Sequence, residues 1–559
     1  MCGTIMFAQT NLSTVDQVGQ QNTSTVGQTG VDNISNVDQL TYTLGTSDDN
    51  TSVVTQSGDS NISFVWNDGD GHDSSVTQDG TDNNSYVNMW GNESKSTVNQ
   101  KGTENKSRVY QWNKTDNHES SVVQDGLKNM SFVRQQGGNG NSSDVNQTGD
   151  LNNSDVRQLG NTNESNVLQD GESNRNYVTQ TGDDNMATVR QGSTTWESRH
   201  GLVNVYQRGD ENTATAIQEE DYNQIDQDQI GNNNTVTARQ NIGTWGDSNI
   251  VKQYQEGDGN EATARQENYD TDTVGFVDND LNNTLQIQKG DNNIAVAYQD
   301  GKKNDSDLYQ LGNGNSDNQK QKGELNRSDV DQLGNSNVSG IEQEGDSNRL
   351  IVYQLGDANS SDVFEKGNAN YTYIRQEGNG NDAVIKQVGD TNNSTLRQIG
   401  DDNNSKTWQY GDTNMSTVTQ TGNNNSSLVS QGRDFDANTA DSDNNKSTVR
   451  QKGNGNWQST DQYTDLAGGS NDNISNVYQD GNYNYSFNSQ TGDRHNSDVD
   501  QLGNSNKSEI WQGGFEQTSV VLQDGNSNIS HVHQSGNNHM STVRQLGNSN
   551  NSHVTQANN

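Results

Sequence analysis

The chain has 559 residues, of which only 25% are hydrophobic, and a formal net charge of −41. An acidic surface of this kind would repel nucleic acid, and no apolar run approaches the roughly 20 residues that a membrane-spanning helix requires. With so little apolar surface to offset chain entropy, the composition alone is typical of a disordered chain.

The first predicted segment is an N-terminal lead, residues 1–10. Its sequence is too short and too uncharged for a complete secretory signal, so we interpret it as a lead that could be the remnant of one. Cys2 is the single cysteine of the chain, which excludes a disulfide within one chain. An incidental thiol is favoured over a lipid-attachment site at Cys2.

Residues 11–556 hold a repeat of eleven residues. Between positions 282 and 431 the unit reads N-x-[S/A/T]-x-[V/I/L]-x-Q-x-G-x-x, and Glu365 is the one departure from Gln. A disordered chain has no reason to keep such a register, so the repeat outweighs the composition. Residues 557–559 form a C-terminal tail. Loop insertions are predicted where the phase breaks, near residues 40–50, 192–204, 241–250, 432–444 and 463–474.

The recurring residues of each unit lie at alternate positions, which is the periodicity of a β-strand. Asn, Ser, Val and Gln would face inwards, and x-G-x-x would form a turn in which Gly adopts a positive φ. The predicted turn glycines are Gly290, Gly301, Gly312, Gly323, Gly334, Gly345 and Gly356.

A longer period of 22 residues is also present. The residue between Gln and Gly is Leu311, Leu333 and Leu355 in alternate units, with Lys or Glu in the units between them. We therefore predict an all-β fold, a β-solenoid or cross-β stack with about 22 residues per rung as strand, turn and strand, and two facing sheets. The inward apolar strip would contain Val330, Ile341, Val352, Val363, Ile374 and Ile385.

Inward Asn and Gln side chains would form ladders, each donating to the same residue one rung away, as in steric zippers. A buried amide without a partner costs about 1–3 kcal/mol, so repetition of the same residue is a requirement of the stack. The predicted structural amide ladder consists of Asn293, Gln299, Asn304, Gln310, Asn326, Gln332, Asn348, Gln354, Asn392 and Gln398.

The repeat resembles the curlin repeat of bacterial curli amyloid subunits, whose pattern is Gln-x-Gly-x-x-Asn-x-Ala-x-Val-x-Gln. Residues 299–310 match it with Ser306 for Ala and Leu308 for Val, and residues 523–534 match it with Ser530 for Ala. The resemblance covers nearly all of residues 11–556, with many more repeats than familiar curli subunits carry. It implies a secreted functional amyloid that self-assembles into extracellular biofilm fibres.

We therefore predict a structural subunit of a cell-surface fibre of a bacterium, which polymerises head to tail through uncapped solenoid ends and serves biofilm matrix or surface adhesion. Its main partner would be itself. Further candidate partners are secretion and nucleation proteins and matrix polysaccharide. The alternative function is a monomeric β-solenoid adhesin or binding module for polysaccharide, a cell surface or ice.

The sequence has no catalytic constellation, so we predict neither enzymatic activity nor a cofactor or metal. Because the acids after the turn glycines are irregular, diffuse cation condensation is favoured over specific calcium sites. His531 and His553 would lie one rung apart, where solvated side chains are favoured over a metal site. For the outward aromatics, cross-strand packing is favoured over ligand binding. These aromatics include Tyr298, Tyr309, Tyr353, Trp408 and Trp511.

Overall fold

The computed structural model describes residues 10–41, 47–112, 117–193, 197–241, 247–267, 281–432, 443–463 and 472–558. Residues 1–9 of the predicted lead lie outside this part of the chain, as do portions of the five predicted insertions, namely 42–46, 194–196, 242–246, 433–442 and 464–471. All the regular secondary structure within the described residues consists of β-strands.

None of the described residues belongs to a helix long and apolar enough to cross a membrane.

The chain divides into two compact units, Met1–Leu285 and Gln286–Asn559. Each unit is a parallel β-solenoid in which successive strands alternate between two facing sheets, and together the units hold about 23 turns of about 22 residues. The predicted all-β solenoid is therefore confirmed. The interior of each turn is lined by the inward residues of two strands.

The strands of the first unit follow one another at the repeat of the sequence. They are β1 Leu12–Gln17, β2 Thr23–Val31, β3 Ile34–Gln39, β4 Thr51–Asp59, β5 Ile62–Asp70, β6 Asp73–Thr81, β7 Asn84–Asn92, β8 Lys95–Thr103, β9 Lys106–Trp112, β10 Glu119–Leu127, β11 Met130–Gln136, β12 Ser142–Asp150, β13 Asn153–Leu159, β14 Glu164–Glu172, β15 Arg175–Thr181, β16 Met186–Gln191, β17 Ser198–Arg199, β18 Leu202–Arg208, β19 Thr213–Gln218, β20 Gln224–Ile230, β21 Thr235–Gln240, β22 Ile250–Glu256 and β23 Glu261–Glu267.

Strand β24, Asn283–Lys289, spans the boundary between the units. The strands of the second unit are β25 Ile294–Lys302, β26 Asp305–Leu311, β27 Ser316–Glu324, β28 Arg327–Leu333, β29 Val338–Glu344, β30 Arg349–Leu355, β31 Ser360–Lys366, β32 Tyr371–Glu377, β33 Asp382–Val388, β34 Asn393–Ile399, β35 Asn404–Tyr410, β36 Met415–Thr421, β37 Ser426–Gln431, β38 Lys446–Lys452, β39 Trp457–Tyr463, β40 Ile474–Asp480, β41 Tyr485–Asp493, β42 Asn496–Leu502, β43 Lys507–Phe515, β44 Thr518–Asp524, β45 Ile529–Asn537, β46 Met540–Leu546 and β47 Asn551–Ala557.

Each strand pairs in parallel with the strand one rung away, and like residues meet in register. Between β28 and β30, for example, Val330 lies beside Val352 and Gln332 beside Gln354. Odd- and even-numbered strands alternate between the two sheets up to β16. The short β17 is an extra strand that pairs with the end of β14, so from there on the numbering shifts by one: β15 pairs with β18 and β16 with β19. The register is kept because a slip of one residue would turn every inward side chain outwards.

The apolar core is a strip one residue wide on each sheet. Val330, Val352 and Ile374 are completely buried, and the predicted Ile341, Val363 and Ile385 are also buried. Full burial of such a side chain stabilises a fold by about 1.5–3 kcal/mol. The inward Asn and Gln residues that flank the strip are equally buried, so polar columns make up most of the interior.

Candidate functional site

Most strands have a Gln near their end, and on each sheet these Gln side chains form a hydrogen-bonded column. Gln310 Nε2 donates to Gln332 Oε1 at 2.8 Å, and Gln332 donates in the same way to Gln354 at 2.9 Å. The predicted Gln299 and Gln398 donate to Gln321 and Gln420, also at 2.9 Å. The column therefore joins each rung to the next through buried side chains.

The second amide proton of each Gln links the two sheets. Gln310 Nε2 also donates to the carbonyl of Ile294 at 3.0 Å, and Gln354 Nε2 to that of Val338 at 2.9 Å. These carbonyls start strands of the facing sheet. Both protons of the buried amide are thus satisfied, which removes the cost of burying it.

The Asn residues form a second column that runs in the opposite direction. Asn326 Nδ2 donates back to Asn304 Oδ1 at 3.2 Å, and Asn348 Nδ2 donates back to Asn326 Oδ1 at 3.1 Å. The same oxygens accept the backbone N–H groups of Asn326 and Asn348. The predicted Asn293 accepts from Asn315, and Asn392 donates its backbone N–H to Asn370. The Gln and Asn columns therefore have opposed amide dipoles.

The seven predicted turn glycines all have a positive φ, between +108° and +130°. Space is as restrictive as backbone geometry at these positions. A Cβ atom on Gly334 would lie 2.1 Å from the carbonyl oxygen of Gly356 in the next rung. Only glycine therefore allows the turns to stack at the spacing of hydrogen-bonded strands.

Where Asp or Asn follows the turn glycine, its side chain belongs to a third column. Asn335 N–H donates to Asp357 Oδ1 at 2.8 Å, and Asp357 N–H donates to Asn379 Oδ1 at 2.9 Å. Sequence reasoning noticed these residues but missed this role, which the frequent occurrence of Asp or Asn after Gly could have suggested. Within the described residues, no group of three or more His, Cys, Asp or Glu side chains is placed to hold a metal ion.

Comparison with known proteins identifies the repeat. Six stretches match the family model described as the curlin associated repeat, at residues 48–80, 160–192, 323–356, 345–389, 367–400 and 520–547. The chain is a curlin-repeat protein with many repeats. No curated protein matches it. Curlin-repeat proteins are structural and non-enzymatic, and the solenoid fits a curli-like structural protein.

The curlin-repeat columns accept ionisable residues in their neutral forms. Glu365 takes a Gln position, accepts from Gln343 Nε2 at 2.8 Å, and has its pKa raised to about 8 by burial. Asp317 takes a Ser position, and burial raises its pKa to about 7. His118 takes an Asn position, where its Nδ1 accepts the N–H of Asn141 at 3.3 Å, and burial lowers its pKa to about 4.

The outward residues singled out in the sequence pack against neighbouring strands of the curlin-repeat solenoid. The rings of Tyr353 and Tyr373 lie 6.1 Å apart, and Trp511 lies 5.5 Å from Phe487. Tyr298 and Tyr309 are half-buried, and Trp408 is exposed. His531 lies 6.1 Å from the ring of His553 and 2.7 Å from the carboxylate of Glu509.

Proposed function

We propose that this curlin-repeat protein is a structural subunit of an extracellular, curli-like fibre on a bacterial surface. In this proposal, copies join head to tail by continuing the stack. The observation that carries the proposal is that the rung is self-complementary. The donors of one rung match the acceptors of the next in all three polar columns, so any open rung offers a template for another copy.

The strands of the first and last described rungs support this arrangement. Among the described strands, β1 pairs only with β3, and β46 and β47 pair only with β44 and β45. Leu12 and Val15 of β1 are 57% and 44% exposed. Unpaired edges of this kind recruit further strands unless they are protected.

Stacking β1 of one copy on β46 of another would bring like residues together. Ser13 would meet Ser541, Val15 would meet Val543, and Gln17 would meet Gln545, as the register of the interior requires. On the outward side, Asp16 would meet Arg544. The contact would thus extend the Gln column and the apolar strip and add one pair of opposite charges.

Electron microscopy of the purified protein tests this proposal. The N–H of Leu12 donates to the carbonyl of Asn33, just before β3, and that of Val18 to the carbonyl of Gln39 in β3. Alternation therefore directs the N–H of Val15 to the other edge of β1. Val15→Pro should therefore shorten the filaments or abolish them, whereas Val15→Ala, which keeps the N–H, should form them normally. Short rods alone at high concentration of the unaltered protein, or equally long filaments from Val15→Pro, would overturn the proposal.

A further inference from the structure

Three neighbouring strands of the first unit, β7, β9 and β11, share a layer of outward aromatic rings, and the next strand, β13, adds an arginine beside it. The centroid of the Tyr110 ring lies 5.5 Å from that of Tyr86, 5.3 Å from that of Trp112 and 5.6 Å from that of Phe132. These rings and two arginines form what we call the aromatic–cationic face, composed of Tyr86, Tyr110, Trp112, Phe132, Arg134 and Arg157.

The arginines lie over the rings. Cζ of Arg134 is 5.4 Å from the centroid of Trp112, and Cζ of Arg157 is 5.7 Å from that of Phe132. Cation–π attraction holds guanidinium groups in such positions. Arg157 also donates to both carboxylate oxygens of Asp155, at 3.0 and 2.8 Å. The face is therefore an ordered surface rather than a set of separate mobile side chains.

The charge of this face is opposite to that of the chain. The outward positions of the four strands carry four cations, Lys106, Arg108, Arg134 and Arg157, against one acid, Asp155. The whole chain has a net charge of −41. Because the screening length is only about 8 Å at physiological ionic strength, the local charge governs a partner that lies on the face. The complementary partner is anionic.

The shape of the face selects an extended partner with flat apolar surfaces. The rings lie on the outer side of a sheet, on successive rungs spaced by about 4.8 Å. Aromatic rings pack against the C–H faces of pyranose sugars, and guanidinium groups form paired hydrogen bonds with carboxylates. A polymer of acidic sugars combines both features in one extended chain.

We propose that the aromatic–cationic face binds an acidic polysaccharide of the polyuronate class. A nucleic-acid duplex turns its phosphates outwards and its bases inwards, so it offers the rings no flat apolar surface, and single-stranded DNA is therefore the nucleic-acid probe in the test. This binding goes beyond the proposed fibre function and does not depend on polymerisation, because the face lies on the side of the solenoid.

Binding of the full-length protein to immobilised polygalacturonate tests the proposal, with uncharged dextran and single-stranded DNA as comparison probes. Polygalacturonate should bind best, and its affinity should fall with added salt. Arg108→Ser/Arg134→Ser should weaken its binding about tenfold, as expected for loss of two charge-assisted contacts. The matched control is Arg375→Ser/Arg397→Ser, an outward pair beside Glu377 in the second unit, and it should bind normally.

The rings are tested separately. Tyr110→Thr/Phe132→Thr should also weaken binding about tenfold, whereas Tyr353→Thr/Tyr373→Thr should leave it unchanged. All of these positions point outwards, so circular dichroism should show the β-structure retained. The proposal fails if polygalacturonate does not bind, if dextran or single-stranded DNA binds equally well or better, or if neither variant of the face differs from its control. It also fails if the face variants, unlike their controls, reduce self-association of the chain alone in sedimentation, because the face would then bind a second copy.

Discussion

At Glu365 the column of Gln side chains is interrupted by a carboxyl group that is completely buried. Burial raises its pKa from 4.5 to about 8, so the protonated form predominates at neutral pH, while Oε2 accepts from Gln343 Nε2. Burial therefore favours the neutral form of this residue in the column. A single side chain thus gives the stack a dependence on pH.

Replacing Glu365 with Gln should make the fold less sensitive to alkali. Because the folded-state pKa is raised above the unfolded value, the stabilising effect of the proton is complete below about pH 4.5 and is lost as the pH rises through about 8. The free energy of unfolding of Glu365→Gln, measured with denaturant, should therefore fall less than that of the parent between about pH 5 and about pH 9. Asp317 should account for part of the remaining fall.

Glu344→Gln is the matched control, because Glu344 is an outward residue on the neighbouring strand β29. It should leave the pH dependence of stability nearly unchanged. If Glu365→Gln lost as much stability as the parent over the same pH range, the assignment of a neutral buried acid would be contradicted.

His118 predicts the opposite dependence, because burial lowers its pKa from 6.5 to about 4. Its contribution to stability is complete above about pH 6.5 and is lost as the pH falls through about 4. Protonation would also place an N–H on Nδ1, which accepts the N–H of Asn141. His118→Asn should therefore raise the unfolding midpoint above that of the parent by more at about pH 4 than at neutral pH. His533→Asn, a change at an exposed position, should show no such difference. Equal acid sensitivity in parent and His118→Asn would refute this role.

At the scale of the element, the strand could be predicted from sequence but the turn only in part. Alternating Asn, Ser, Val and Gln define the inward face, because a strand has a period of two. The turn contains a second left-handed residue, such as Ala358 or Ala369, with φ near +56°. Asp, Asn, Ser and Gly are common at that position, but Leu151, Tyr222 and Ala369 also occur there, so the residue type marks it only weakly and the hydrogen bonds of the stack impose it. The opposed directions of the Asn and Gln columns likewise depend on three-dimensional packing that a repeat pattern does not contain.

Glycine at the turn should be irreplaceable, whereas glycine in the strand should not. Gly334→Ala forces an unfavourable φ and a Cβ contact of 2.1 Å with the next rung, and we expect a loss of at least about 2 kcal/mol in the free energy of unfolding. Gly340→Ala is the control, since its Cβ would meet only Asp362 Oδ1 at 3.6 Å. Hydrogen exchange should show weakened protection at Gly356 and neighbouring amides in Gly334→Ala alone. Equal stability of the two variants would contradict the account of the turn.

At the scale of the whole molecule, periodicity explains how a chain with 25% hydrophobic residues folds. Each rung obtains hydrogen-bond partners only from its neighbours, so the columns are stable because they are repeated. A rung of another copy can supply the same partners, which is why the proposed polymer would form by continuing the stack. The aromatic–cationic face escaped sequence reasoning, since its members come from four different units and become neighbours only when the rungs stack.

Cross-linking in register tests the central claim, that one copy continues the stack of another. In a Cys2→Ser background, Thr14→Cys on β1 and Thr542→Cys on β46 would face each other across the junction. Paired strands lie about 4.8 Å apart, which suits a disulfide. Thr14→Cys with Thr555→Cys is the control, because β47 belongs to the other sheet. Oxidised fibres of the first variant should give a ladder of covalent multimers that collapses on reduction. Absence of the ladder, or an equal ladder from the control, would contradict head-to-tail stacking.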